Sequence, residues 1–303
     1  LAVPDFQSLM LPFLRIASDE KEHSMQETRE YLAKKLKLSE MDLKEMLPSG
    51  RQTTFGNRVA WAKVYLSQAG LLESPRRGVY KISKSGSSVL NAPPEKISIK
   101  FLEQFPEFRE FRYERKGNRA EKGETVDEEQ TGTPEEALER AAEKFREEVA
   151  QQLIKQIKTN SPNFFEKLVV DLLVKMGYGG SIKDAGKAIG QSGDEGIDGI
   201  IKEDKLGLDL IYIQAKRWEA SVGRPELQKF VGALKGKRAQ KGVFITTSSF
   251  SQQSIDYVNQ VDPNIVLIDG ERLVSLMIDY NLGVSVENTI EIKKIDSDYF
   301  IED

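Results

Sequence analysis

The side chains best suited to do chemistry fall in three stretches of the C-terminal half. Asp198 stands in Gly196-Ile197-Asp198-Gly199, at the head of a short apolar segment, and Lys216 closes the next such segment in Ile213-Gln214-Ala215-Lys216. Side chains alternate along a strand, so Gln214 and Lys216 share a face while Ala215 points away. If the two segments pair as a hairpin, a carboxylate, a polar oxygen and a lysine converge. Such a set suits hydrolysis of a phosphodiester: a cation held by Asp198 and nearby oxygens binds the phosphate, stabilises its developing charge and acidifies a water. Lys216 would orient or help deprotonate that water, or offset charge on the phosphate. Gln214 can give its side-chain oxygen to the cation or position water, and the backbone carbonyl of Ala215 is a natural further ligand. Glu166, in Asn163-Phe164-Phe165-Glu166-Lys167-Leu168, lies beside the apolar face of a helix. Two readings of it stand open, a reach toward the cation or its water shell, and ordinary helix surface.

Composition narrows the alternatives. The 303 residues contain no cysteine and one histidine, His23. Thiol nucleophiles, cysteine-held zinc, iron–sulfur clusters and disulfides are excluded, and serine-histidine triads and multi-histidine metal sites are disfavoured. Catalysis then rests on carboxylates and lysines, whose oxygens suit hard cations, magnesium first and manganese second. Absence of cysteine suits a reducing cytoplasm, and with no signal-type N-terminus and no apolar run of membrane-spanning length a cytoplasmic protein without a membrane partner is expected. The formal net charge of −4 and pI near 5.5 argue against a nucleic-acid partner, but local charge argues for one. Arg51 to Lys84 and Ile211 to Lys241 each carry a net charge of +6, and Arg119 to Val149 a net −6, so the global figure averages two basic regions with an acidic middle.

The elements that must hold the chemistry follow an α/β pattern. A helix over 162–176 precedes strands over 199–202 and 210–215; a helix over 225–237, a strand over 242–246, a helix over 252–259, a strand over 265–268 and a helix over 270–280 follow. The first two strands are close enough for a hairpin and the later crossovers are helical, so the sheet is expected to be mixed.

The N-terminal ninety residues read as three helices and a short hairpin. The third helix, about 55–69, buries Val59, Ala62, Leu66 and Ala69 on one face, ends at Gly70 and presents Asn57, Arg58, Lys63 and Gln68 on the other. Strands near 71–74 and 79–82 are joined at Pro75-Arg76-Arg77-Gly78. This is the winged helix-turn-helix order, in which the third helix can enter the major groove. Asn57 and Arg58 would reach base edges, and Arg76, Arg77 and Lys81 on the hairpin would contact phosphates. Trp61 is read as core. The boundaries expected are a winged-helix DNA-binding domain over 1–92, a linker over 93–133 with an ordered piece near Ile97–Phe111, a connecting helix over 134–158 opened by Pro134, and a nuclease domain over 159–303.

Gly193-Asp194-Glu195-Gly196-Ile197-Asp198-Gly199, Tyr212-Ile213-Gln214-Ala215-Lys216-Arg217-Trp218, Val222-Gly223-Arg224-Pro225-Glu226-Leu227-Gln228 and Gly242-Val243-Phe244-Ile245-Thr246-Thr247-Ser248 together resemble the Mrr restriction endonucleases. The first domain is similar to the Mrr winged helix at Asn57-Arg58, Trp61-Ala62 and Ala69-Gly70-Leu71. The resemblance implies the PD-(D/E)xK fold in its glutamine branch, with Asp198 and Lys216 as catalytic aspartate and lysine, Gln214 at the substituted acidic position and Glu166 as the helix glutamate. Glu195 departs from the glycine expected there. Arg224, Glu226 and Gln228 look family-typical, for DNA contact or for helix initiation. What the resemblance implies biologically is a type IV enzyme that cuts methylated foreign double-stranded DNA as a homodimer or larger assembly. Two other readings stand beside it, a structure-selective repair or junction nuclease of the same fold and a DNA-binding regulator with an inactive nuclease domain.

Overall fold

The computed structural model describes residues 2–76, 78–117, 132–179, 196–204 and 206–293. They divide into two compact units, one running through Glu143 and one from Lys144 to Lys293.

In the first unit, Asp5 accepts from the Ser8 amide at 3.0 Å and caps α1 (Phe6–Ile16), satisfying a donor that the first helical turn leaves open. β1 (His23–Ser24) runs into α2 (Met25–Lys35) through a capping box of Ser24 and Glu27. α3 (Glu40–Lys44) and α4 (Thr54–Gln68) follow, then β2 (Leu72–Glu73) and β3 (Val79–Ile82). The three strands form an antiparallel sheet in the order β1-β3-β2. On β3, Tyr80 is fully buried and its hydroxyl meets that of Thr28; burial pushes the phenol up to about 12. α5 (Lys84–Asn91) comes next, and Gly86 is required in it because a Cβ there would lie 2.3 Å from the Leu71 carbonyl oxygen.

Residues 93–117, expected as linker with an ordered piece, contain α6 (Ile99–Leu102) and α7 (Pro106–Gly117). Ile97, Leu102 and Phe108 are completely buried in the same core as α1 and α4. Their spacing is too short for a recognisable helical stripe, which is why periodicity alone undersold them. α8 (Pro134–Thr159) starts in this unit.

The second unit is built on a four-stranded mixed sheet in the order β4 (Gly199–Lys202), β5 (Leu210–Lys216), β6 (Lys241–Thr246), β7 (Asn264–Ile268). β4 and β5 are antiparallel, and β5, β6 and β7 are parallel. The parallel steps are made by α10 (Arg224–Gly236) and α11 (Gln252–Val258), as parallel crossovers require. α9 (Pro162–Lys175) buries Phe165, Leu168, Val169, Leu172 and Leu173 at helical spacing against Ile211, Ile213 and Ala215 of β5, with α12 (Gly270–Asp279) in the same layer. Leu227, Phe230, Val231 and Leu234 of α10 pack on the other face with Phe244 and Ile265. Among the described residues no helix is long and apolar enough to cross a membrane.

Candidate active site

Asp198 enters the sheet one residue before β4, its amide donating to the Ile213 carbonyl at 2.8 Å. This backbone bond sets the carboxylate against the end of β5. The Ala215 amide donates to Asp198 Oδ2 at 2.8 Å, and the Gln214 side-chain amide donates to the same oxygen. A carboxylate only accepts, so the amide nitrogen of Gln214 must face it and Oε1 turns away. It turns toward Gly196, whose φ of +98° is open to glycine and where a Cβ would lie 3.5 Å from Gln214 Oε1. Gln214 is buried, at 2% exposure. Asp198 Oδ2 is thus held by two N–H donors, while Oδ1 makes no hydrogen bond among the described residues.

Lys216 ends β5 on the same face as Gln214, opposite the Ile211–Ala215 face, as alternation requires. Its carbonyl accepts from the Thr246 hydroxyl at 2.9 Å and the Trp218 amide at 3.0 Å, and the Thr247 hydroxyl donates to the Trp218 carbonyl at 2.7 Å. These two buried threonines pin the chain where it leaves the site. They sit in the quoted Thr246-Thr247-Ser248 string, but nothing in their residue type marked them as positioning groups. The Lys216 amino group has no hydrogen-bond partner among the described residues.

Glu166 stands in the first turns of α9, beside the buried Phe165. Burial, then the negative charge of Asp198, push its carboxyl above the usual carboxylate range, and Lys216 pulls the other way. Asp198 and Lys216 thus lie near enough to Glu166 to bias its carboxyl in opposite directions, and the Asp198 backbone bond sets it beside β5, the strand that Lys216 ends. Gln214 and the Ala215 backbone complete the set. Two carboxylates, one with an oxygen free of hydrogen bonds among the described residues, beside the Ala215 carbonyl oxygen, are a donor set that fits a hard divalent cation. Among the described residues no three acidic, histidine or cysteine side chains cluster as a metal cage.

A cleft of about 950 Å³ leads away from this end of the sheet, lined by Gly196, Gln214 and Lys216 on one side and by α10 on the other. Arg224, the first residue of α10, stacks over the Tyr257 ring at 5.0 Å and does not line the cleft. Its helix is opened by Pro225 with Gly223 as N-cap.

The residues expected to read DNA on α4 are engaged within the protein. Asn57 is 2% exposed, and its side-chain oxygen accepts from the Thr133 hydroxyl at 2.6 Å. Arg58 pairs with Glu136 at 2.6 Å and donates to the Val3 and Pro4 carbonyls. Trp61 donates its indole N–H to Glu135. Thr133 and Glu136 bond reciprocally, each side chain to the other's amide at 3.2 Å. This capping box starts α8 and covers the start of α4 with carboxylates. The expectation that Asn57 and Arg58 reach base edges is corrected accordingly: both are spent holding α4, the N-terminal strand-like entry and α8 together. The Thr-x-x-Glu spacing was the available signal. On the hairpin, Arg76 pairs with Glu22 at 2.8 Å and Lys81 with Glu73 at 3.4 Å, all with substantially exposed side chains. Arg77 and Glu195 lie outside the described residues.

Comparison with known proteins first defines the class. Residues 157–277, which include the sheet and the site, match the family described as restriction endonuclease, and residues 6–92 match the Mrr N-terminal domain. Over 307 residues the chain is 36% identical to the Type IV methyl-directed restriction enzyme EcoKMrr of Escherichia coli (strain K12), covering 99% of this chain and 100% of that one. The chain belongs to the Mrr family of restriction endonucleases. Among solved structures it is similar to the DNA modification-dependent restriction endonuclease AspBHI, at 18% identity and a TM-score of 0.33 over 45% of this chain and 36% of that one. The MspJI restriction endonuclease in complex with a 27-mer oligonucleotide gives 25% identity and a TM-score of 0.34, over 46% and 33%.

Proposed function

We propose that the chain is a type IV restriction endonuclease that hydrolyses phosphodiester bonds in methylated double-stranded DNA with the help of a divalent cation, magnesium or manganese. The observation that carries the chemistry is the Asp198 carboxylate, fixed through one oxygen by Gln214 and Ala215 at the strand that Lys216 ends. Selectivity for methylation is supported by the likeness, over the full length, to a methyl-directed restriction enzyme.

Asp198 and Glu166, with the Ala215 carbonyl oxygen, would hold the cation, which supplies charge neutralisation at the phosphate and acidifies water. Gln214 and the Ala215 amide hold Asp198 in one orientation, so no reorganisation is needed when substrate arrives. The Lys216 ammonium, on a backbone pinned at the strand end by Thr246 and Thr247, would offset charge gathering on the phosphate oxygens and orient the attacking water. Burial raises the proton affinity of Glu166, and a bound cation would favour its ionised form.

The N-terminal unit, whose first 92 residues are read as a winged helix, would dock DNA through its hairpin, with Arg76 and Lys81 exchanging exposed ion pairs for phosphates at small cost and Arg77 as a further phosphate contact. The remaining boundaries of this reading are 93–133, whose α6 and α7 join the core of the first unit, 134–158 for the connecting helix and 159–303 for the nuclease. Cutting two strands with one site per chain implies a homodimer or larger assembly, working in the cytoplasm.

The test is a magnesium-dependent cleavage assay on matched duplexes with and without methylation. Cleavage confined to the methylated duplex, and reduced about a thousandfold in Asp198→Ala and Lys216→Ala with DNA binding retained, is expected. Full activity in both variants would sink the assignment of the site. Equal cutting of both duplexes, with preference for branches, would replace methylation with structure as the cue.

A further inference from the structure

α10 carries two internal contrasts that the chemistry at Asp198 does not explain. Its buried face, Leu227, Phe230, Val231 and Leu234, is an ordinary core stripe. Its other face presents Lys229, Gly232, Gly236 and Lys237 to the cleft that begins at Gln214 and Lys216. A glycine inside a helix costs about 1 kcal/mol relative to alanine, and close packing is the usual compensation. Gly242 on β6 shows that compensation, since a Cβ there would lie 2.9 Å from Phe230 and Leu234 of this same helix. Gly232 and Gly236 do not: a Cβ at either would meet nothing within 4 Å. Side chains are missing from this face although there is room for them, and the room left is the cleft itself.

The charge of the cleft says what would use that room. Among the described residues Lys216, Lys229 and Lys237, the last itself engaged in an interaction, line it with one carboxylate, Glu226. The Lys229–Glu226 pair, 2.7 Å long, has a lysine side chain 70% exposed, so trading its partner for a phosphate costs little. Among the described residues the one aromatic ring in the wall, Phe244, is completely buried and offers no face for a base to stack on. Cations beside exposed helical backbone, without a stacking platform, suit a polyanion that comes close and is not read by sequence. We propose that the Lys229–Lys237 face of α10 grips the sugar-phosphate backbone of the DNA strand flanking the bond to be cut. This rests on reading the Asp198 site as a nuclease.

The experiment uses the full chain and a short fluorescent duplex. Affinity is measured without divalent metal over a series of salt concentrations, cleavage with magnesium, and Tm for every variant. In the Lys229→Ala/Lys237→Ala double variant, affinity should fall about tenfold and the slope of log K against log salt should flatten by about two, one step per lost phosphate contact. Gly232→Met should raise Tm, since methionine is a better helix former in open space, yet weaken binding and cleavage by about tenfold or more. Wild-type binding, salt slope and cleavage in both variants would overturn the inference while leaving the nuclease reading intact, provided Asp198→Ala still abolishes cutting. Loss of cleavage with unchanged affinity and slope would overturn it too. A wild-type chain that neither binds nor cuts any duplex would bring down both readings together.

Discussion

α4 and α10 make an instructive pair. Each is an amphipathic helix in a segment of net charge +6, each buries one stripe in a core, and each shows polar and basic residues on its other face. Their environments are opposite. The start of α4 is closed by Thr133, Glu135 and Glu136, which take up Asn57, Trp61 and Arg58. The outer face of α10 stays open along a cleft that runs to Lys216. A basic helical face is therefore a statement about potential, and what decides its use is whether carboxylates elsewhere in the chain have already claimed it.

Several changes would break or sharpen this contrast. The largest effect is expected at Glu136: its removal leaves the Arg58 guanidinium, on a side chain only 21% exposed, without its counter-charge, and Glu136→Ala should cost about 3 kcal/mol in denaturant unfolding. Unchanged stability together with tighter DNA binding would show instead that α4 is a masked nucleic-acid surface, and the contrast would fail. Next comes Asn57→Ala, which strands the buried Thr133 hydroxyl and should cost about 1–2 kcal/mol without altering DNA affinity. A selective fall in affinity at unchanged Tm would return Asn57 to a reading role.

Smaller again is Asp5→Ala, which removes the cap of the helix packed on α4 and should cost about 1 kcal/mol at neutral pH. Burial opposes ionisation of Asp5, but the Ser8 hydroxyl and amide and the Lys96 ammonium outweigh it and hold the carboxyl below its ordinary value. The folded value lies below the unfolded one, so this contribution is complete above the ordinary carboxylate pKa and disappears as pH falls through the depressed value. The difference in unfolding free energy between wild type and variant should shrink along that acid limb. A constant difference from neutral to strongly acid pH would contradict it.

The smallest stability effect, with the opposite sign, belongs to Glu166. Its carboxyl is raised, so the ionised form burdens the fold, and stability should decline as pH rises from the ordinary carboxylate value through the raised one. Glu166→Gln in metal-free protein should therefore be slightly more stable than wild type at neutral pH while cleaving poorly. A variant that is less stable at every pH would mark Glu166 as structural.

Much of the nuclease unit was legible because its signals are local. Alternation in Ile211–Lys216 sets which residues share a face, Phe165 to Leu173 repeats at helical spacing, and Pro162 and Pro225 stand where helices start. The site was legible for the same reason, since Asp198 and Lys216 need only one hairpin to meet. The fate of Asn57 and Arg58 was not, because it depends on partners 76 and 78 residues away. Helical periodicity distinguishes a buried stripe from the rest; it does not distinguish a wet polar face from one sealed by another element. Gln214 shows a milder version: its type suggested an oxygen for a cation, while its observed bond makes its nitrogen the orienting group for Asp198.

The Thr133–Glu136 box also bears on how the protein can be taken apart. A fragment ending at residue 92, a natural cut by sequence, would lose Ile97, Leu102 and Phe108 from its core and Glu136 from Arg58. It would expose a basic helix that the whole chain keeps neutralised and would adhere to DNA of any sequence. Dissection by truncation would then report an affinity that the intact chain does not possess.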